Sequence, residues 1–130
     1  MEQLSHTTSG IQISVSTVLN EDISIIDQGR FFYNYHISIV NTNPFPVRLL
    51  RRHWEIYDSL HPLRFVDGDG VVGLSPLLHS GERFAYSSGC DLYSEIGNMS
   101  GYYVFQRLDT LEEIKVVIPK FDLIFHGKLN

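Results

Sequence analysis

The chain has 130 residues, 43% of them hydrophobic, with 10 lysines and arginines against 15 aspartates and glutamates for a formal net charge of -5, and a single cysteine, Cys90. That length supports one core and not two, and the composition excludes a disordered or fibrous chain. The acidic balance argues against nucleic acid and anionic membranes as partners, and one cysteine without an internal partner points to a reducing, cytoplasmic location.

Residues 1–10 are polar, without the cationic start or apolar run of a signal peptide. They are expected to form a flexible N-terminal segment ahead of one domain spanning 11–130. Ile11, Ile13 and Val15 alternate with Gln12, Ser14 and Ser16, the period of a strand with one buried face. Phe31, Tyr33, Tyr35, Ile37 and Ile39 repeat that period over a longer run, β-branched and aromatic on the core side. Asn41-Thr42-Asn43-Pro44 closes it with turn chemistry. The run 47–58 breaks its own alternation, because Val47 and Leu49 have the opposite parity to Trp54 and Ile56. A β-bulge between Leu49 and Arg52 repairs the register. It carries Arg52 towards the Trp54 side and sends Arg51 and His53 to solvent. A short strand returns at 63–66, a glycine-rich segment follows at 68–73, and another strand is expected at 83–87. The stretch 88–100 reads as a loop. A final pair at 102–108 and 113–118 meets across Asp109-Thr110, with Pro119 ending the last strand and Phe121, Leu123 and Phe125 left as an edge. No segment carries a capped helical period. Seven or eight short strands separated by turns predict an all-β chain, an immunoglobulin-like or fibronectin type III-like antiparallel β-sandwich, with a closed barrel as the alternative.

Gly68-Asp69-Gly70-Val71-Val72-Gly73 matches G-x-G-x-x-G. In a dinucleotide fold that spacing lets backbone approach a pyrophosphate at a helix N-terminus. Pro76 forbids the helix here, so a Rossmann site is rejected. A turn needing positive φ is the plain reading, and a nest of N–H groups facing an anion is the functional one. Asp67 and Asp69 lack the further ligands of a calcium loop. The six histidines form no close ligand pair and Cys90 has no C-x-x-C neighbour, so no metal site is expected. Cys90 precedes Asp91, which opposes a thiolate, and Ser87 and Ser88 lack a nucleophile elbow. No catalytic set assembles and no cofactor is indicated. Arg48, Arg51, Arg52 and His53 form the one dense cationic cluster, in which Arg52 stacks on Trp54 or pairs with a buried carboxylate.

Several motifs occur in one order along the chain: Arg52-His53-Trp54, Gly68 to Gly73, Ser87-Ser88-Gly89, Gly97-x-Met99-x-Gly101 and Ile118-Pro119-x-Phe121. In this combination the chain resembles the ApaG family, from about Ile11 to Phe121; residues 122–130 lie beyond the family's usual end. The resemblance implies a fibronectin III-like sandwich, no known reaction and a loose association with cobalt and magnesium resistance. Related domains in eukaryotic F-box and polymerase-interacting proteins imply a recognition module. By the same analogy Gly68, Gly70 and Gly73 form a pyrophosphate-type loop with Arg52 and Trp54 as its neighbours. The expectation is a non-enzymatic module that takes a protein partner or a small anionic ligand at Gly68, Gly70, Gly73, Arg52, Trp54, Ser87, Ser88 and Gly89. Apolar strand edges add an expectation of homodimer formation.

Overall fold

The computed structural model describes residues 3–127. Nine strands occur among them: β1 (Gln3–Thr8), β2 (Ile11–Leu19), β3 (Phe31–Asn41), β4 (Val47–Asp58), β5 (Arg64–Asp69), β6 (Leu77–Leu78), β7 (Arg83–Leu92), β8 (Ile96–Arg107) and β9 (Glu113–Ile124). One sheet has the order β1-β2-β3-β7, and the other has the order β5-β4-β8-β9 with β6 paired beside β5 on β4. All pairings are antiparallel. The fold is the predicted two-layer sandwich.

Alternation decides which face each strand buries. Ile11, Ile13 and Val15 of β2 and Tyr33, Tyr35, Ile37 and Ile39 of β3 meet Leu49, Trp54, Tyr103, Phe105, Val116 and Ile118 from the opposite layer. Trp54 sits at the centre, its ring 5.4 Å from Tyr35 and 5.9 Å from Phe121. The predicted bulge is present, as a register shift on β4 between Leu49 and Arg51 opposite β8. A second shift lies between Met99 and Gly101 opposite β9. There Gly101 presses against the His53 carbonyl so closely that a Cβ would overlap it.

Four expectations need correction. The N-terminal segment forms strand β1 over Gln3–Thr8, antiparallel to β2, because its backbone finds a ladder where its side chains offer little apolar surface. The stretch 88–100 is almost all strand, with only 93–95 between β7 and β8. Pro119 does not end β9, because the bulge opposite it leaves the missing N–H without a ladder position to fill. Phe121 and Leu123 are therefore core residues, 3% and 1% exposed, and not a bare edge.

The two long sides of the sandwich close differently. On one side β1 lies against β9, and the Val117 N–H donates to Thr8 Oγ1. On the other, β5 and β7 are the outer strands of their sheets, joined by Arg64, which donates to both Asp91 Oδ1 (3.1 Å) and the Asp91 carbonyl. The glycine segment lies on that second side.

Candidate functional site

Strand β5 runs beside β4 with Gly68 opposite Arg52 and Asp67 opposite His53. Arg52 points inward beneath the strand. Its Nη1 donates to the carbonyls of Asp69 (2.9 Å) and Gly70 (3.0 Å). Gly68 makes room for this crossing, since a Cβ there would stand 2.7 Å from Arg52 Nη2. No carboxylate lies within ion-pair distance of Arg52 among the described residues. Both sequence readings of Arg52 thus need correction: it neither stacks on Trp54 nor pairs with an acid, because two backbone carbonyls of β5 and its turn capture the guanidinium first.

Beyond β5 the chain reverses in a two-residue turn. Val71 and Leu74 exchange both backbone bonds, each 2.8 Å, and the Gly70 N–H donates to the Leu50 carbonyl. The central residues Val72 (φ +43) and Gly73 (φ +77) are both left-handed, the type I′ geometry. Glycine suits that conformation and valine does not. Val71 is buried as a plug, whereas Val72 and Leu74 are each 54% exposed. The N–H groups of Gly70, Val71 and Leu74 are therefore committed inside the fold, and within the turn 71–74 those of Val72 and Gly73 are the two left to face outward. Asp67 and Asp69 flank them.

The remaining predicted residues disperse. Trp54 is 3% exposed in the core and opposes Val66, well inside the sheet and away from the turn. Ser87, Ser88 and Gly89 are strand residues of β7, paired with His36, Tyr35 and Asn34. Ser87 faces outward and hydrogen-bonds His36 Nδ1. Ser88 faces inward beside Tyr35. Gly89 lies under the Phe32 ring, where a Cβ would collide. The cationic cluster also disperses: Arg48 donates to the Ser75 carbonyl, Arg51 pairs with Glu113 at 2.7 Å, and Arg52 faces the other way. The structure brings together Arg52, Gly68 and Gly70, with Gly73 at the tip of the adjoining turn.

Sequence reasoning placed His53 in the cationic cluster and pointed it to solvent but left it out of the candidate site; its side chain is only 17% exposed. Its Nδ1 lies 2.6 Å from Asp67 Oδ1 and its Nε2 3.1 Å from Glu55 Oε2. Both partners only accept, so the doubly protonated ring satisfies the pair. The hydrogen bond to Asp67 raises the His53 pKa, against a smaller opposing effect of burial, and Glu55 adds to the rise. The ring stacks on Tyr102 at 4.8 Å and faces Phe65 at 6.0 Å. Lys115 Nζ covers the Tyr102 ring. His53 and Glu55 share a face by simple alternation, but Asp67 needed the strand register. Inside the sandwich, the Tyr86 and Tyr103 hydroxyls share a hydrogen bond. Burial raises the pKa of both phenols, with the Arg52 charge opposing.

Burial pushes the Cys90 thiol up to about 11, with the Arg64 charge working against that rise. Among the described residues, no group of three or more histidines, cysteines or acids is placed to hold a metal ion. No helix among them is long and apolar enough to cross a membrane.

The family model described as ApaG domain matches residues 21–107. The chain is 42% identical over 118 residues to Protein ApaG of Maricaulis maris, covering 91% of this chain and 90% of that one. It is 40% identical over 116 residues to Protein ApaG of a Methylobacterium species, covering 89% and 88%. Among solved structures, the putative ApaA protein from Bordetella pertussis superposes with a TM-score of 0.85 at 34% identity, covering 91% of this chain and 95% of that one. A protein from Archaeoglobus fulgidus, at 8% identity and a TM-score of 0.52 over 89% of this chain and 97% of its own, shares the fold alone.

Proposed function

The chain belongs to the ApaG family, and from that premise we propose that it is a non-enzymatic binding module. Its recognition surface is the turn 71–74 with the adjoining edge strand β5, and its partner is a protein. One observation carries this reading. A β-branched residue, Val72, is held in a left-handed conformation at the tip of the turn, and its side chain is presented to solvent. Strain of that kind concentrates at functional positions. Leu74, at the end of the same turn, is equally exposed. Burial raises the Cys90 pKa and keeps the thiol protonated, which supports a role without chemistry. A lone buried thiol fits a cytoplasmic protein.

The test is affinity capture from native extract with the wild-type chain and with a Val72→Asp, Leu74→Asp variant, circular dichroism confirming that both are folded. A partner retained by the wild type and lost by the variant supports the surface. Recovery of the same proteins by both removes it. Self-association through the same apolar edge is read from the concentration dependence of sedimentation.

A second reading rests on Arg52. Its guanidinium has no carboxylate partner among the described residues and sits beneath Gly68 and Gly70. An anion bound there would use the Val72 and Gly73 N–H groups and would need a bridging cation to offset Asp67 and Asp69. Calorimetry with pyrophosphate, with and without Mg²⁺, tests it; no heat in either condition ends the idea. The family's association with cobalt and magnesium resistance then acts through the partner, and equilibrium dialysis against Co²⁺ should give no stoichiometric uptake.

A further inference from the structure

Strand β7 pairs with β3 along one of its edges and is the last strand of its sheet. Two bonds fix which backbone groups face which way. On the β3 side the Asn41 N–H donates to the Glu82 carbonyl. On the other side Arg64 donates to the Asp91 carbonyl. Alternate residues of an antiparallel strand aim both backbone groups at the same neighbour, so Arg83, Ala85, Ser87 and Gly89 turn theirs away from β3. Edge strands are commonly blunted by proline, lysine or a bulge. β7 has neither residue, and its register with β3 runs unbroken. Its outward side chains between Arg83 and Asp91 are those of Ala85, Ser87 and Gly89, all small and exposed.

This edge is complementary to itself. Set antiparallel to a second copy about a two-fold axis through Ser87, it places Ala85 opposite Gly89, Ser87 opposite Ser87 and Gly89 opposite Ala85, each pair exchanging both backbone bonds. At both ends Arg83 then faces Asp91 of the other copy, opposite charges directly across the ladder. Arg83 makes no ion pair among the described residues, and Arg64 holds the Asp91 carboxylate in place at 3.1 Å. Sliding the copies along one another shortens the ladder and takes Arg83 away from Asp91. The Phe32 ring lies over Gly89, so it meets the Ala85 methyl of the second copy. On the inner face the partly buried Phe84 and Tyr86 gain cover.

We propose that β7 is a self-association edge: two copies of this chain pair through it in the antiparallel register centred on Ser87, joining their four-stranded layers into one continuous sheet. One strand pair is a small interface, so dissociation at about 100 µM is expected.

The test is sedimentation of the full chain from about 10 µM to 1 mM, with amide exchange followed over the same range. The expected result is a monomer–dimer equilibrium in which the amides of Ala85, Ser87 and Gly89 slow as the dimer forms, while those of Tyr86 and Ser88, already bonded to β3, do not. Ser87→Pro removes an N–H that β3 does not use and is expected to fold, which circular dichroism checks; it should abolish the dimer. Arg83→Glu, at an exposed position, turns both end contacts repulsive and should weaken association about tenfold. Ser87→Pro leaves Val72 and Leu74 in place, so loss of the dimer is read separately from capture of another protein by the turn. The proposal is overturned by a monomer at every concentration, by a dimer that survives in folded Ser87→Pro or is unmoved by Arg83→Glu, or by protection that appears at 64–74 instead of on β7.

Discussion

Replacing Val72 with asparagine separates the strain in the turn from the surface it presents. Holding an L-residue in the left-handed region costs about 1–2 kcal/mol, and a β-branched side chain lies at the upper end. Asparagine tolerates that region and is a preferred residue of type I′ turns. The valine side chain is 54% exposed, so its removal forfeits about 0.5 kcal/mol of burial. The net expectation for Val72→Asn is a gain of about 1 kcal/mol, equivalent to roughly 3–5 °C in Tm for a domain of this size. Val72→Gly relieves the same strain but loosens the unfolded chain, so its gain should be smaller. Urea denaturation gives the order directly: Asn above Gly above the wild-type valine, at constant m-value. A Val72→Asn chain no more stable than wild type would refute the reasoning, because the left-handed geometry would then carry no cost. If the strain serves recognition, the stabilised variant should also lose the partner that the wild type retains.

Three further outcomes follow from the geometry. His53 has a raised folded-state pKa, so its contribution is fully present below the unfolded value and is lost as pH rises through the folded one. Stability should therefore fall as pH rises across that step in wild type and not in His53→Gln, with a difference of about 1 kcal/mol below it given how exposed Asp67 is. Gly70→Ala combines positive φ with a Cβ driven into the Leu74 carbonyl and should cost about 2–3 kcal/mol, whereas Gly73→Ala meets nothing within 4 Å and should cost about 1 kcal/mol in the same denaturation assay. Tyr86→Phe strands the fully buried Tyr103 hydroxyl and should cost about 1–3 kcal/mol; Tyr103→Phe leaves the less buried Tyr86 hydroxyl and should cost less.

The parts of this fold that could be read from the sequence are those where burial imposes a period. β2 and β3 alternate cleanly because one face of each is core, and the parity change within 47–58 located the bulge on β4 before any coordinates. The parts that could not be read are those where backbone pairing decides and side chains do not. β1 offers Leu4 as its one aliphatic residue and is recruited by the β2 ladder. The Ser87-Ser88-Gly89 run reads as loop by propensity but is a strand because β3 lies beside it. The candidate site followed the same division. The glycine turn was visible as positive-φ chemistry, and Arg52 was carried to the correct face by the bulge. Its capture by two carbonyls, and the meeting of His53 with Asp67, depend on strand register across 14 to 18 residues of chain, which composition does not encode.

Two arginines bridging β5 inward have a kinetic corollary. A backbone ladder holds β5 to β4, but among the described residues its other edge reaches β7 only through a side chain, that of Arg64, so β5 is the segment of its layer from which solvent should enter first. Amide exchange at 64–69 would then be the earliest in the five-stranded layer, and whatever docks on that flank should announce itself by slowing those amides before it alters any others.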